Sequence, residues 1–189
     1  MLTSAIITCT LTTRLKDHAK MSAQAAFRTK ILFDTNQLLQ RAKSEEEILS
    51  QTASQLMKLL NRSLIVYPEQ NGDLGSEQFF GVDGETAQNI FSAPEERDAA
   101  NWTFANKKRS GAGTDSYPDA KGLYLALRTG GGVFGVVGID LSEKPLDAFE
   151  NSVLLSILGE GALAIENRRN ALEKEQATVQ AKKDRKSVV

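Results

Sequence analysis

Between Trp102 and Ile139 the chain reads WTFANKKRSGAGTDSYPDAKGLYLALRTGGGVFGVVGI, and this stretch limits the fold more than any other. Lys107, Lys108 and Arg109 bring positive charge to a helix end, and Gly111 is expected to supply the left-handed cap, since it has no Cβ to clash there. From Gly111 to Gly122 the residues are mostly glycine, proline, aspartate, serine and threonine, a composition that turns the chain rather than packs it. Leu123, Leu125 and Leu127 then alternate with Tyr124, Ala126 and Arg128, and Val133, Phe134, Val136, Val137 and Ile139 form a denser apolar run. Thr129-Gly130-Gly131-Gly132 joins them as a hairpin connection. The unit is a helix, a long loop and a β-hairpin.

The rest of the chain is sized for one compact domain with appendages: 189 residues, 41% apolar, are enough for a real core. With 23 basic and 24 acidic side chains, nothing global draws the protein to nucleic acid or anionic lipid. Cys9 is the only cysteine and His18 the only histidine, which removes disulfide frameworks and Cys/His zinc sites and suits a reducing compartment.

Leu2 to Leu11 is an apolar run rich in threonine and β-branched residues, followed by Arg14, Lys16 and Lys20. It is too short to cross a bilayer, which takes about 20 residues, and it lacks the basic start and clean cleavage site of a signal peptide. Ala19 to Ala42 has helical spacing, with Phe27, Ile31, Leu38 and Ala42 on one stripe and Asp34-Thr35-Asn36 interrupting it. So narrow a stripe suits a partner helix better than burial inside a domain. Ser44 and Glu47 form a capping box for a second helix, whose Ile48, Leu49, Thr52, Leu56, Leu59 and Leu60 should lie on a sheet.

Leu64 to Tyr67 reads as a strand stopped by Pro68, with a turn through Asn71-Gly72-Asp73 and a partner strand at Gln78 to Val82. Thr86 to Phe91 fits either a short helix or an irregular bridge. Pro94-Glu95-Glu96 opens the next helix. Asp147 and Glu150 announce the last one, on which Leu154, Leu158, Gly161, Ile165, Arg168, Leu172, Glu175 and Val179 recur at alternating spacings of four and three. Its first half should cover the sheet. Beyond Glu166 the heptad continues among charges, as a marginal two-stranded coiled coil. The expected divisions are residues 1–43 as an N-terminal signalling helix, 44–166 as the domain, and 167–189 as a coiled-coil linker.

The run Ala112-Gly113-Thr114-Asp115-Ser116, with Pro118, Gly122-Leu123-Tyr124-Leu125, Leu127-Arg128-Thr129 and Gly135-Val136-Val137-Gly138-Ile139, resembles the GAF domain of KdpD-type sensor histidine kinases, membrane-bound proteins linked to bacterial potassium uptake. The last strand pair is generic to GAF domains. The G-x-G-T-D-[ST] loop between a Trp-x-Phe helix and a Tyr-Leu strand is the more specific part. The resemblance implies that residues 1 to about 12 are the tail of a truncated final membrane helix, with Arg14 and Lys16 at its cytoplasmic boundary; the alternative is a frayed amphipathic arm. It also implies a cytoplasmic domain, tethered to the membrane in a full-length relative that adds membrane and kinase domains.

Kinase chemistry itself is not expected in this chain. A phosphoacceptor histidine needs a His-Asp/Glu-x-x-Thr/Arg-Pro setting that His18 lacks, and Gly130-Gly131-Gly132 joins two strands rather than opening the helix a phosphate cradle requires. No cofactor or metal is expected, and the cysteines of redox or bilin-binding GAF domains are absent after Cys9. What remains is a small-molecule or ion pocket under the loop from Arg109 to Gly122. Its candidates are Tyr117 and Tyr124 for stacking, Arg109 and Arg128 for an anionic group, and Thr114 and Asp115 for hydrogen bonds. The same residues could instead only stabilise their own turn, strand edge and core.

The fold expected is therefore α+β: a GAF-like antiparallel sheet of five to six strands, helices on one face, loops on the other, and long helices at both termini. The function expected is a regulatory domain that forms a homodimer through its first and last helices, with Phe27, Ile31, Leu38, Leu158, Ile165 and Leu172 at the seam, and binds no nucleic acid. The alternative is a passive connector that dimerises and spaces flanking modules without any ligand.

Overall fold

In the computed structural model the backbone is described for residues 2–81 and 84–186, and side chains for residues 21–81 and 87–182. The β-branched and glycine-rich run after the hairpin becomes β6 (Val133–Asp140), the inner strand around which the sheet is built. It pairs antiparallel with β5 (Gly122–Arg128) on one side and β1 (Leu64–Gln70) on the other. Two short strands extend β1, β2 (Asp73–Leu74) and β3 (Gln78–Phe80), while β4 (Ser110–Gly111) closes the far edge against β5. The hairpin forms as expected, Thr129 N donating to Gly132 O at 3.0 Å. The expected strand at Gln78 to Val82 is present as far as Phe80; Val82 lies outside the described residues.

β1 does not stop at Pro68. It runs on to Gln70, because Pro68 still offers its carbonyl to Gly75 N and its opposite residue on β6, Gly135, has no side chain to hold the backbones apart. Asn71 and Gly72 then turn the chain with both φ values positive, as a tight hairpin requires.

Alternation along the strands separates two cores. Ile65, Tyr67, Tyr124 and Val136 share a face with Phe91 of α3 (Gly84–Phe91) and Ala99 and Ala100 of α4 (Pro94–Asn106). Leu64, Val66, Leu123, Leu125, Leu127, Val137 and Ile139 point the other way, toward α2 (Glu45–Leu60) and α5 (Ala148–Lys186), both of which contact the sheet. The face on which loops were expected thus carries a second helical layer. Gly161 lets α5 close on α2: a Cβ there would meet the Thr52 hydroxyl at 2.6 Å.

The helix ends follow their chemistry with small shifts. Ser44 caps α2 at Glu47 N, and Glu47 reaches back one residue further than expected, to Lys43 N. Asp147 and Glu150 exchange both bonds of their capping box. α4 ends at Asn106, and Lys107, four residues before Gly111 and with φ 57°, is the left-handed cap and donates its N–H to Thr103 O. Gly111 has another role. Its φ is 90° and a Cβ would lie 2.0 Å from Gly122 O, so β4 can approach β5 that closely only without a side chain.

The chain divides into two units, residues 1–34 and 35–189. In the first, α1 (Leu2–Arg41) begins; Phe27 is exposed and Ile31 buried. The backbone of the expected membrane-helix tail is helical from Leu2, as part of α1, while its side chains, with those of Cys9, Arg14, Lys16 and His18, lie outside the described residues. α1 passes through Asp34-Thr35-Asn36 without a break. Asn36 Nδ2 donates to Glu160 Oε2 of α5 at 2.9 Å, so this polar residue is engaged across the helix pair and need not end the helix, while the fully buried Thr35 hydroxyl has no hydrogen-bond partner among the described residues.

Candidate functional site

The loop between α4 and β5 is held from beneath by one carboxylate. Glu96, on the first turn of α4, is 1% exposed and accepts from Lys121 N (2.7 Å), Gly122 N (3.1 Å) and the Tyr124 hydroxyl (2.7 Å). Burial, reinforced by the neighbouring Glu96 charge, raises the Tyr124 phenol far above its usual range, so it remains a donor. Gly138 makes room for that ring: a Cβ there would come within 2.4 Å of Tyr124 Cε1. Ser110 Oγ donates to Ala99 O, which ties β4 to the same helix.

The loop borders an open cleft of about 680 Å³. Trp102 of α4 forms one wall, Lys108 and Arg109 just after the helix another, and the loop from Gly113 to Ser116 the third. The loop is set by Thr114, whose Oγ1 lies 2.8 Å from Gly111 O and 2.9 Å from Ser116 O. Gly111 N donates to Ser116 O and Ala112 N to Gly122 O, which closes it into a fixed turn. Tyr117, next in sequence, sits at φ 61°, an uncommon conformation for so bulky a residue.

Three of the six expected ligand residues, Arg109, Thr114 and Asp115, meet around this cleft. The other three do not. Tyr124 is fully buried in the core, on the hydrogen bond to Glu96. Arg128 is six residues along β5 from Gly122, about 20 Å at the usual strand rise, and exposed beside the hairpin. Tyr117 is partly exposed at the loop tip without lining the cleft. Trp102 and Lys108 were missed as lining residues, although both stood in the stretch that fixed the fold.

A second cavity, about 380 Å³, lies over Tyr67, Phe79 and Phe91. Its cation is already engaged: Arg97 donates to Leu74 O and Gly75 O, pairs with Glu77, and stacks 4.8 Å from the Tyr67 ring. Burial pushes the Tyr67 phenol up to about 12, against the pull of Arg97.

The opposite layer holds a polar collar where α5 leaves the domain. Glu166 accepts from the Thr129 hydroxyl at 2.8 Å, Arg168 donates to Lys43 O, and Arg169 forms a two-pronged pair with Glu45, reaches Glu69 at 2.9 Å, and stacks on Phe134. Burial alone would raise the Glu69 carboxyl, but the Gly72 amide and Arg169 outweigh it and hold it below its usual value. Residues 170–182 beyond the collar are all exposed.

The collar redistributes the expected dimer residues. Leu158 and Ile165 are buried inside this chain's own α2, α5 and sheet packing and are not available to a partner. Ile31 is buried as well. Phe27, Leu38 and Leu172 are exposed. Among the described residues no group of three or more His, Cys, Asp or Glu is placed to hold a metal ion.

No protein-family profile matches the chain. Its sequence is 28% identical over 186 residues, 98% of its length, to the sensor protein KdpD of Clostridium acetobutylicum, and spans about a fifth (21%) of that relative. Its structure is similar to the GAF domain of the potassium sensor histidine kinase KdpD from Escherichia coli, with a TM-score of 0.53 and 20% identity, covering 80% of this chain and 99% of that one. It is also similar to the GAF domain of an Acinetobacter phosphoenolpyruvate-protein phosphotransferase, with a TM-score of 0.53 and 11% identity over 76% of this chain and 95% of that one. The fold is that of a GAF domain, α+β, and along almost its whole length the sequence is similar to a KdpD sensor.

Proposed function

We propose that this chain is the cytoplasmic regulatory GAF region of a KdpD-type two-component sensor kinase, in which α5 carries the output as one strand of a parallel dimeric coiled coil. The kinase chemistry, the membrane tether and any control of potassium uptake would belong to the whole sensor, to which this chain contributes an input module. The similarity to KdpD over 98% of the chain supports the family context.

The observation that carries the signalling part is the change along one stripe of α5. Residues seven apart on a helix fall about 20° short of two full turns and so share a face. Leu158 and Ile165 on that face are 4% and 0% exposed, whereas Leu172 and Val179 on the same face are 40% and 48% exposed. The stripe that packs the domain continues past the collar as an apolar seam, which a second copy of α5 would cover. Arg168, on the same stripe, is taken up by the collar, and Glu175 interrupts the seam beyond it and keeps it marginal, so two arrangements can lie close in energy. A passive connector needs the seam but not the collar. A collar that joins the β5–β6 hairpin, β1 and α2 to the start of the seam is what a regulator needs to turn a shift in the domain into a shift of the helix.

The test is sedimentation of the purified chain with Leu172→Asp and Val179→Asp introduced together. Both residues are solvent-facing within one chain, so folding should be unchanged, while the dimer dissociation constant rises by at least about tenfold, the equivalent of 1.4 kcal/mol. An unchanged association constant would reject the seam.

A further inference from the structure

Four arginines of this domain are engaged. Arg62 donates to the carbonyls of Asp140, Lys144 and Pro145; Arg97, Arg168 and Arg169 are held as described above. Lys107, Lys108 and Arg109 are the contrast. They are three consecutive exposed cations, and among the described residues none of them makes a hydrogen bond or ion pair through its side chain. Lys107 takes the left-handed turn that ends α4, and the next two residues line the cleft. The charge is concentrated where the chain has a preformed wall and an aromatic one.

The chemistry of the three walls is specific. A guanidinium and an ammonium side by side suit a phosphate, the first through a planar fork and the second as a compact charge. Half-buried Trp102 adds a flat, electron-rich surface on which a planar ring can stack. Ser116 also lines the cleft, and at Gly113 even a Cβ would meet nothing within 4 Å, which leaves that side open. Asp115 is the one acidic residue in the lining; it forms no ion pair with either cation, and its carboxylate can accept from a sugar hydroxyl or ring amine. A volume of about 680 Å³ lies within the ordinary range for small-molecule sites, about 300–1,000 Å³. A simple anion would use the cations and leave Trp102 idle.

We propose that this cleft binds a small organic phosphate carrying a planar ring, of mononucleotide size, with the phosphate on Lys108 and Arg109 and the ring on Trp102. Its role as the input of the domain rests on the regulatory reading given above; the binding itself does not. The route to the output runs through hydrogen bonds: Ala112, next to the cleft's loop residues, donates to Gly122 O of β5, and β5 ends at the hairpin whose Thr129 donates to Glu166 of the collar.

Trp102 is the chain's only tryptophan, so its fluorescence reports this cleft directly. The experiment titrates the full chain with AMP, adenosine and ribose 5-phosphate, and repeats the series with Lys108→Glu plus Arg109→Glu and with Arg128→Glu, a cation at the far end of β5. The expected result is a saturable change with AMP, at least about tenfold weaker binding of each half-ligand, loss of the AMP response in the double variant, and no loss in Arg128→Glu. Sodium chloride should weaken binding, because the cations are exposed. No saturable change with AMP, equal binding of ribose 5-phosphate, or an AMP response that survives the double charge reversal would overturn the proposal. Sedimentation of the same samples separates the two claims. AMP binding to a monomer would contradict the dimeric output and leave the site standing; a dimer blind to AMP would do the reverse.

Discussion

Replacing Glu96 by alanine should cost about 4 kcal/mol and lower the melting temperature by about 8–16 °C, at about 2–4 °C per kcal/mol for a chain of this size. The carboxylate is 1% exposed and serves three donors, two backbone amides and one phenol. Each donor left without a partner in the interior costs about 1–3 kcal/mol. Glu96→Gln keeps one acceptor oxygen but turns an amide toward the donors, and should fall between the two extremes. Tyr124→Phe removes one donor and leaves the carboxylate its two amides, for a smaller loss of about 1.5 kcal/mol. Thermal unfolding followed by circular dichroism distinguishes these. The same substitution should speed amide exchange at Lys121 and Gly122, because Glu96 is their hydrogen-bond acceptor. A loss below about 1 kcal/mol for Glu96→Ala would show that the loop stands without its brace.

Gly138→Ala should cost about 3 kcal/mol for a different reason. Its added Cβ would lie 2.4 Å from Tyr124 Cε1 and 2.7 Å from Ile65 Cγ2, both on side chains with no exposed surface and no free direction to move. Gly130 in the hairpin provides the comparison, since a Cβ there meets nothing within 4 Å. Gly130→Ala should therefore change stability by no more than about 0.5 kcal/mol. If the two variants unfold together, Tyr124 is not seated over Gly138 as described.

Much of this fold could be read from residue order because its signals are local. Capping boxes at Ser44 and Asp147, the alternation from Leu123 to Leu127 and the glycine connection after Thr129 each act within a few residues. The misreadings arose where a long-range partner overrode a local signal. Pro68 reads as a strand end until Gly135 is seen opposite it, and Asp34-Thr35-Asn36 reads as a break until Asn36 is paired with Glu160. In the cleft, Arg109, Thr114 and Asp115 were legible because the loop holding them is continuous in sequence. Tyr124 reads either as a ligand residue or as a core residue, because an aromatic on a strand says nothing about which face it takes; its partner Glu96 lies 28 residues earlier, where it reads only as a helix-opening acid. The collar was the least legible part. It brings together side chains from around residues 45, 69, 129 and 168, and no short pattern records such a meeting. Leu158 and Ile165 share a heptad with Leu172 and Val179, and spacing alone cannot tell where such a stripe stops packing its own domain and becomes available to a partner.

That boundary is the central claim, and site-directed disulfide formation tests it most directly. With Cys9 replaced by serine, single cysteines at Leu172, Val179 and Lys174 would be oxidised under mild conditions and the covalent dimer measured. In a parallel two-stranded helix pair, equivalent seam positions face one another, whereas Lys174 lies about 200° around the helix from Leu172. The account predicts efficient cross-linking at Leu172 and Val179 and little at Lys174. Equal cross-linking at all three positions, or none at any of them, would contradict a helical seam as the output of this domain.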